Sequence, residues 1–175
     1  MLTLPREFID EMIAHAREDA PNECCGIIAG QDGRAVKLFR AKNAEASPYR
    51  YNVDPQDLFR IHRECETNGW EFLAIYHSHT ASEAYPSPTD VRLAFWPETY
   101  YVLVSLMDRE KPAVRAFRIE DGRVSEDNLA VVIREYKGSG ELRRLDGKQV
   151  RVTGQFGVDP DLGIFIDAAE IRGLD

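Results

Sequence analysis

Apolar positions along this chain follow two periods, and the switches between them outline its elements. From Pro5 to Ala20 the residues Phe8, Ile9, Met12, Ile13 and Ala16 recur at helical spacing, which predicts an amphipathic helix opened by Pro5 and stopped by Pro21. Glu23 to Gly30 is then a continuous apolar run of strand length, headed by one carboxylate. Gln31-Asp32-Gly33 turns it into a second run, Ala35 to Phe39, so the pair reads as a hairpin. Ala41 to Val53 is polar and irregular, with Ser47-Pro48 and the aromatic residues Tyr49 and Tyr51, which beside a site could hold a peptide in extended form. Asp54-Pro55 supplies an N-cap and a first-turn proline for a helix to about Thr67, with Leu58, Phe59 and Ile61 inward and Asn68-Gly69 ending it.

Phe72 to Tyr76 is a short aromatic-rich run bounded by turn signals, predicting a buried strand that delivers His77 and His79 at its C-terminal end. After a polar loop from Thr80 to Pro86, Ser87 is placed to cap a short helix with Pro88 at its first position, continuing through Val91 to Phe95 and ending at Pro97. Tyr100 to Leu106, Ala113 to Ile119 and Leu129 to Ile133 are three further β-rich runs, separated at Asp108 to Pro112 and at Asp121-Gly122. This order predicts an α+β, or mixed α/β, domain built on one sheet. Lys137-Gly138-Ser139-Gly140 reads as a linker, which divides the chain into a main domain, residues 2–136, and a β-rich extension, residues 137–175, with strands at Val150 to Val152 and Ile164 to Ile166. The extension is too small to bury a core of its own, so it must pack on the main domain, pair with another copy as a homodimer, or cover the site.

Composition narrows the function classes. The 175 residues are ordinary single-domain length, and the formal net charge of -8, with no cluster of Lys and Arg, argues against a nucleic-acid partner. No apolar run approaches the length of a membrane span, and the N-terminal residues lack the apolar region of a signal peptide, so a cytoplasmic protein is expected. The three cysteines, Cys24, Cys25 and Cys65, do not form a disulfide framework; the adjacent pair reads as small apolar side chains in a buried strand. His15 and His62 lie within helical stretches and read as packing or surface residues.

The chemistry concentrates after the Phe72 strand. Two histidines with one residue between them share a strand face, with Cα atoms about 6.5–7 Å apart, and Ser78 faces the other way. Both imidazoles then reach one metal ion, and Asp90, on the first turn of the following helix, faces back towards them as a third ligand. Two histidines, one carboxylate and an open fourth position make a catalytic zinc arrangement, whereas structural zinc takes four protein ligands, mostly cysteine. Ser87-x-x-Asp90 alone is only a capping box, and a lone His-x-His pair is compatible with core histidines; the joint pattern is what carries the reading. Hydrolysis also needs a general base that is not a ligand. Glu23 and Glu83 compete for that role, and Glu23 is preferred because a strand beside the histidine-bearing one holds a carboxylate more rigidly than a loop does.

His77-Ser78-His79, seven residues, then Ser87-Pro88-Thr89-Asp90, with Glu23 upstream in Pro21-Asn22-Glu23-Cys24-Cys25-Gly26, resembles the signature of the JAMM (MPN+) metallopeptidases. The stretch from His77 to Ser87 is similar to the subgroup that removes cysteine from a sulfur-carrier protein, the CysO-cysteine peptidases. Thr80 stands where many relatives carry proline, in agreement with that subgroup. The resemblance covers roughly residues 2–136 and implies a JAMM-like fold, a curved central β-sheet flanked by helices. It further implies a zinc-dependent hydrolase with one Zn²⁺ per chain on His77, His79 and Asp90, and with Glu23 as base. Ser87 would donate a hydrogen bond to the oxyanion in such an enzyme. The implied substrate is the Gly-Gly tail of a ubiquitin-like sulfur carrier, cleaved to release cysteine for cysteine biosynthesis. An isopeptidase freeing a ubiquitin-like protein from lysine side chains, and a metal-free scaffold of the same fold, are the alternatives.

Overall fold

The computed structural model describes residues 1–132 in full and, beyond them, the backbone of two strands spanning 150–159 and 163–173. In chain order the elements are β1 (Leu2–Pro5), α1 (Arg6–Asp19), β2 (Cys25–Gln31), β3 (Arg34–Ala41), α2 (Pro55–Asn68), β4 (Glu71–His79), α3 (Pro88–Arg92), β5 (Tyr100–Ser105), β6 (Ala113–Glu120), β7 (Arg123–Asp127), β8 (Leu129–Val132), β9 (Val150–Asp159) and β10 (Gly163–Gly173). Six strands form one sheet in the order β3-β2-β4-β5-β6-β7. Neighbours are antiparallel except β4 and β5, which are parallel and joined by the crossover that contains α3. β1 pairs in parallel with β8, and β9 with β10 in antiparallel fashion. The domain is the α+β fold that the order of elements predicts.

Local chemistry explains the boundaries. The Asp54 side chain accepts from the Gln56 and Asp57 N–H groups and starts α2, while Gly69, at φ 67°, closes it in the left-handed conformation that lacks a Cβ penalty. Asp32 and Gly33, at φ 51° and 72°, make the tight turn between β2 and β3. Asp121 and Gly122 repeat that conformation, at φ 50° and 76°, and there the sequence reading falls short. The turn does not merely separate two runs: it folds β7 back on β6. β7 carries one apolar residue, Val124, in five, so its periodicity is silent; it forms because it completes an edge.

Other departures have similar causes. Leu2 and Leu4 alternate over only four residues, and β1 exists because β8 lies beside it. Pro5 caps α1 from extended backbone rather than occupying its first turn. α3 stops at Arg92, short of the predicted Pro97, and Phe59, expected inward on α2, is 66% exposed. Leu58 and Ile61 do face inward. The strands Val150–Asp159 and Gly163–Gly173 are longer than predicted, and the predicted linker at 137–140 lies outside the described residues.

Alternation of side chains across the sheet sorts the core into two layers. Tyr76, Ala74, Ile28, Val102 and Val104 pack with Met12 and Ile9 of α1 and with β1 and β8. Ile75, Ile27 and Tyr101 pack with Ile61 and Cys65 of α2. Burying a side chain of this size contributes on the order of 2 kcal/mol. His15 belongs to the first layer, its Nδ1 2.8 Å from the Tyr76 hydroxyl, whereas His62 lies on the surface. Among the described residues no helix is long and apolar enough to cross a membrane.

Gly26 sits where β2 passes directly over the Tyr76 ring. A Cβ there would collide with both that ring and the Phe39 carbonyl. Gly26→Ala is therefore expected to lower unfolding stability by about 1–3 kcal/mol, read by urea denaturation; an unchanged midpoint would show that β2 and Tyr76 can separate freely.

Candidate metal and hydrolytic site

The strand geometry expected from His-x-His is present. His77 and His79 lie at the end of β4, facing the α2 side of the sheet with Ile75, while Ser78 turns to the opposite face. There the Ser78 hydroxyl accepts from the Cys24 N–H (2.9 Å), and the Ser78 N–H donates to the Cys24 carbonyl (3.1 Å). Asp90 arrives from α3. Ser87 and Asp90 form a reciprocal cap, the Ser87 N–H donating to Asp90 Oδ2 (2.6 Å) and the Asp90 N–H to Ser87 Oγ (3.2 Å).

These elements bring three ligand atoms into one triangle. His77 Nε2 and His79 Nε2 are 3.3 Å apart, and Asp90 Oδ2 lies 3.5 and 3.4 Å from them. Ligands at about 2.0–2.1 Å from a tetrahedral zinc stand roughly 3.4 Å from one another, so the observed edges match such a shell. The side chains of His77, His79 and Asp90 are 1%, 6% and 7% exposed, and the triangle is the group able to hold a metal ion among the described residues. His79 Nδ1 lies 2.9 Å from the Glu83 carbonyl. The carbonyl can only accept, so Nδ1 carries a hydrogen, and Nε2 is the ring atom turned towards His77 and Asp90.

The electrostatics agree with a cation-shaped vertex. Burial alone would push the Asp90 carboxyl upward, but hydrogen bonds from His77, His79 and the Ser87 N–H hold it well below the ordinary carboxylate range. Burial lowers the pKa of His77. At His79 burial acts the same way, yet the bonds to Asp90 and to the Glu83 carbonyl outweigh it and the pKa rises. Tyr51 stacks on the His77 ring, centroids 4.3 Å apart and planes 21° apart, which screens that ring from solvent.

Glu23 precedes β2 rather than lying within it, which corrects the predicted strand start. It is 4% exposed. β2 and β4 pair with Cys25 opposite His77, and carrying that register two residues further sets Glu23 opposite His79. Its Oε2 is buried without a hydrogen-bond partner, as is His77 Nδ1. Burial raises the Glu23 pKa to about 7, opposed by His79 and assisted by Asp90. Glu83, the rival, is an exposed side chain whose backbone carbonyl is engaged with His79. Cys24 and Cys25 are fully buried on opposite faces, and burial pushes the Cys24 thiol up to about 12, so neither is a ready thiolate. Of the two loop aromatics, Tyr49 is exposed, whereas Tyr51 is turned inward onto His77. Sequence reasoning passed over Asn43, whose amide organises the loop bearing Tyr51; an isolated Asn in a polar stretch carries no periodic or motif signal.

Residues 5–120 match the family described as prokaryotic homologs of the JAB domain. The chain is 42% identical over 134 residues to the CysO-cysteine peptidase of Mycobacterium tuberculosis, covering 75% of this chain and 92% of that protein. It is 36% identical over 111 residues to the desampylase of Haloferax volcanii, covering 59% and 80% respectively. A solution structure of a protein from Desulfitobacterium hafniense superposes with a TM-score of 0.68 at 35% identity, covering 78% of this chain and 94% of that one.

The buried Glu23 carboxyl has a consequence for stability in metal-free protein. Its pKa is about 7 folded against 4.5 for the free group, so it is largely protonated in both states at pH 4, and between pH 4.5 and 7 the unfolded chain ionises while the folded one does not, which disfavours the fold. Glu23→Gln should leave stability unchanged at pH 4, and raise it progressively from pH 4.5 to 7. By pH 8 the gain should be on the order of 2 kcal/mol, measured by denaturant unfolding after chelation. Equal stabilities at pH 8 would mean that the carboxylate is solvated.

Proposed function

The chain belongs to the family of prokaryotic homologs of the JAB domain and is a hydrolase of the JAMM type; on that premise we propose that it cleaves the amide bond after the Gly-Gly tail of a ubiquitin-like sulfur-carrier protein and releases cysteine, as a cytoplasmic enzyme of cysteine biosynthesis. The observation that carries this reading is the buried His77, His79 and Asp90 triangle with an unpartnered Glu23 carboxylate beside it. The similarity to the mycobacterial peptidase supports the choice of substrate. Residues 2–136 are the catalytic unit in this reading and 137–175 an extension.

His77, His79 and Asp90 would hold one Zn²⁺ per chain, which would supply Lewis-acid polarisation of the scissile carbonyl and a water made more acidic, towards a pKa of about 7. Glu23 accepts the proton of the attacking water and passes it to the departing amine, a task suited to a carboxyl whose pKa lies near neutrality. Ser87 Oγ accepts from the Asp90 N–H, which leaves its own hydrogen to donate to the oxyanion. A cavity of about 420 Å³ opens beside Asp90, with Tyr51, Val53, Ile75, Leu93 and Trp96 among its walls. It suits a thin extended tail without side chains and would place the tail's last amide near the triangle.

A second reading, release of a ubiquitin-like protein from lysine side chains, is favoured by the similarity to the haloarchaeal desampylase. Intact-mass spectrometry of zinc-loaded protein with two substrates separates them: a Gly-Gly-ended carrier bearing C-terminal cysteine, and the same carrier joined to a lysine side chain. Cysteine loss is expected, abolished in Glu23→Ala and His77→Ala, retained in Cys24→Ala, and slowed about 100-fold in Ser87→Ala. Faster release from lysine would make the protein a deconjugating enzyme. Zinc content near zero without chelator would sink both and leave a scaffold.

A further inference from the structure

Glu23 lies beyond the end of β2, where the sheet's ladder no longer holds the backbone. Both of its main-chain polar groups are instead held by the loop spanning residues 43–53. The Glu23 N–H donates to the Ser47 carbonyl (2.9 Å), and the Glu23 carbonyl accepts from Asn43 Nδ2 (2.9 Å). Asn43 is 6% exposed, and its side-chain amide uses every hydrogen-bonding position it has. Nδ2 also donates to the Arg50 carbonyl (3.2 Å), and Oδ1 accepts from the Glu45 N–H (3.0 Å) and the Asn52 N–H (3.1 Å). Two carbonyls on one side and two N–H groups on the other allow one orientation of the amide and exclude its flip.

The loop is tied around this amide. Asn43 pairs with Val53 across its neck, and the Ala44 N–H donates to the Asn52 carbonyl (2.8 Å). Tyr51, which lies between Arg50 and Asn52, two of the backbone partners of the Asn43 amide, is the residue stacked on His77. One buried side chain thus joins the backbone of Glu23 to the segment that covers a metal ligand.

We infer that Asn43 is a positioning residue of the hydrolytic site, fixing the backbone from which the Glu23 carboxylate reaches the reacting water. The inference rests on the reading of Glu23 as the base. Proton transfer demands placement within a few tenths of an ångström, and a carboxylate on an untethered strand extension would not hold it. Asn43→Asp keeps the two acceptor contacts and the side-chain volume but removes both donors, setting an oxygen against the Glu23 and Arg50 carbonyls.

The test is a double-mutant cycle on single-turnover cleavage of a Gly-Gly-Cys-ended carrier, at saturating substrate and with zinc content measured for every variant. Asn43→Asp is expected to lose at least tenfold in rate with zinc bound one per chain. Added to Glu23→Gln, whose slow residual cleavage is followed at high enzyme concentration, it is expected to cost less than twofold more. A wild-type rate for Asn43→Asp, or an equal loss in both backgrounds, overturns the inference. Wild-type cleavage by Glu23→Gln would instead overturn the reading of Glu23, and this inference with it. Asn43→Ser, which retains one hydroxyl and adds no charge, runs the same cycle should the Asp variant fail to fold.

Discussion

The antiparallel register of β2 against β4 is the constraint on which the rest of the site depends. With Cys25 opposite His77, the last residues of β4 point two imidazoles to one face while the backbone leading into β2 arrives beside the second of them. A slip of one residue would turn both histidines to the α1 face. Gly26 enforces the register sterically, because only a residue without a side chain lets β2 lie on the Tyr76 ring, and Tyr76 is anchored in turn by His15. The adjacent cysteines, Cys24 just before β2 and Cys25 at its start, pack into the two opposite core layers.

That register also creates an electrostatic problem. Two imidazoles and two carboxyls are brought into a nearly dry space, with a Glu23 oxygen and His77 Nδ1 left without partners. Buried polar atoms without partners cost stability unless something else compensates. The arrangement is preorganised: the protein's own hydrogen bonds orient Asp90 and His79, and the Nε2 atoms of both histidines converge with Asp90 Oδ2 on one point. A cavity of about 420 Å³, with both apolar and charged walls, opens beside Asp90.

Much of this was legible in the linear sequence where residue types repeat or cap. Helical spacing marked α1 and α2, Asp-Gly marked the turns, and Ser87-Pro88-x-Asp90 marked both a helix start and a carboxylate facing the two histidines, since the capping box and the triangle use the same Asp90 oxygen. β7 and β1 escaped because they are short edge or paired strands whose existence depends on a neighbour. Phe59 escaped because helical periodicity identifies a face by its average, and α2 presents that one aromatic outward.

The sequence by itself determined the two periodicities, the turn positions and the ligand spacing, because those depend on interactions within a few residues along the chain. It also carried the pairing of a metal-ligand motif with an upstream glutamate. Only the tertiary structure decided that Glu23 lies opposite His79, that Tyr51 covers His77 rather than facing solvent, and that Asn43 ties the two together. These are contacts between segments far apart in the chain, set by strand register and burial, and no local propensity encodes them.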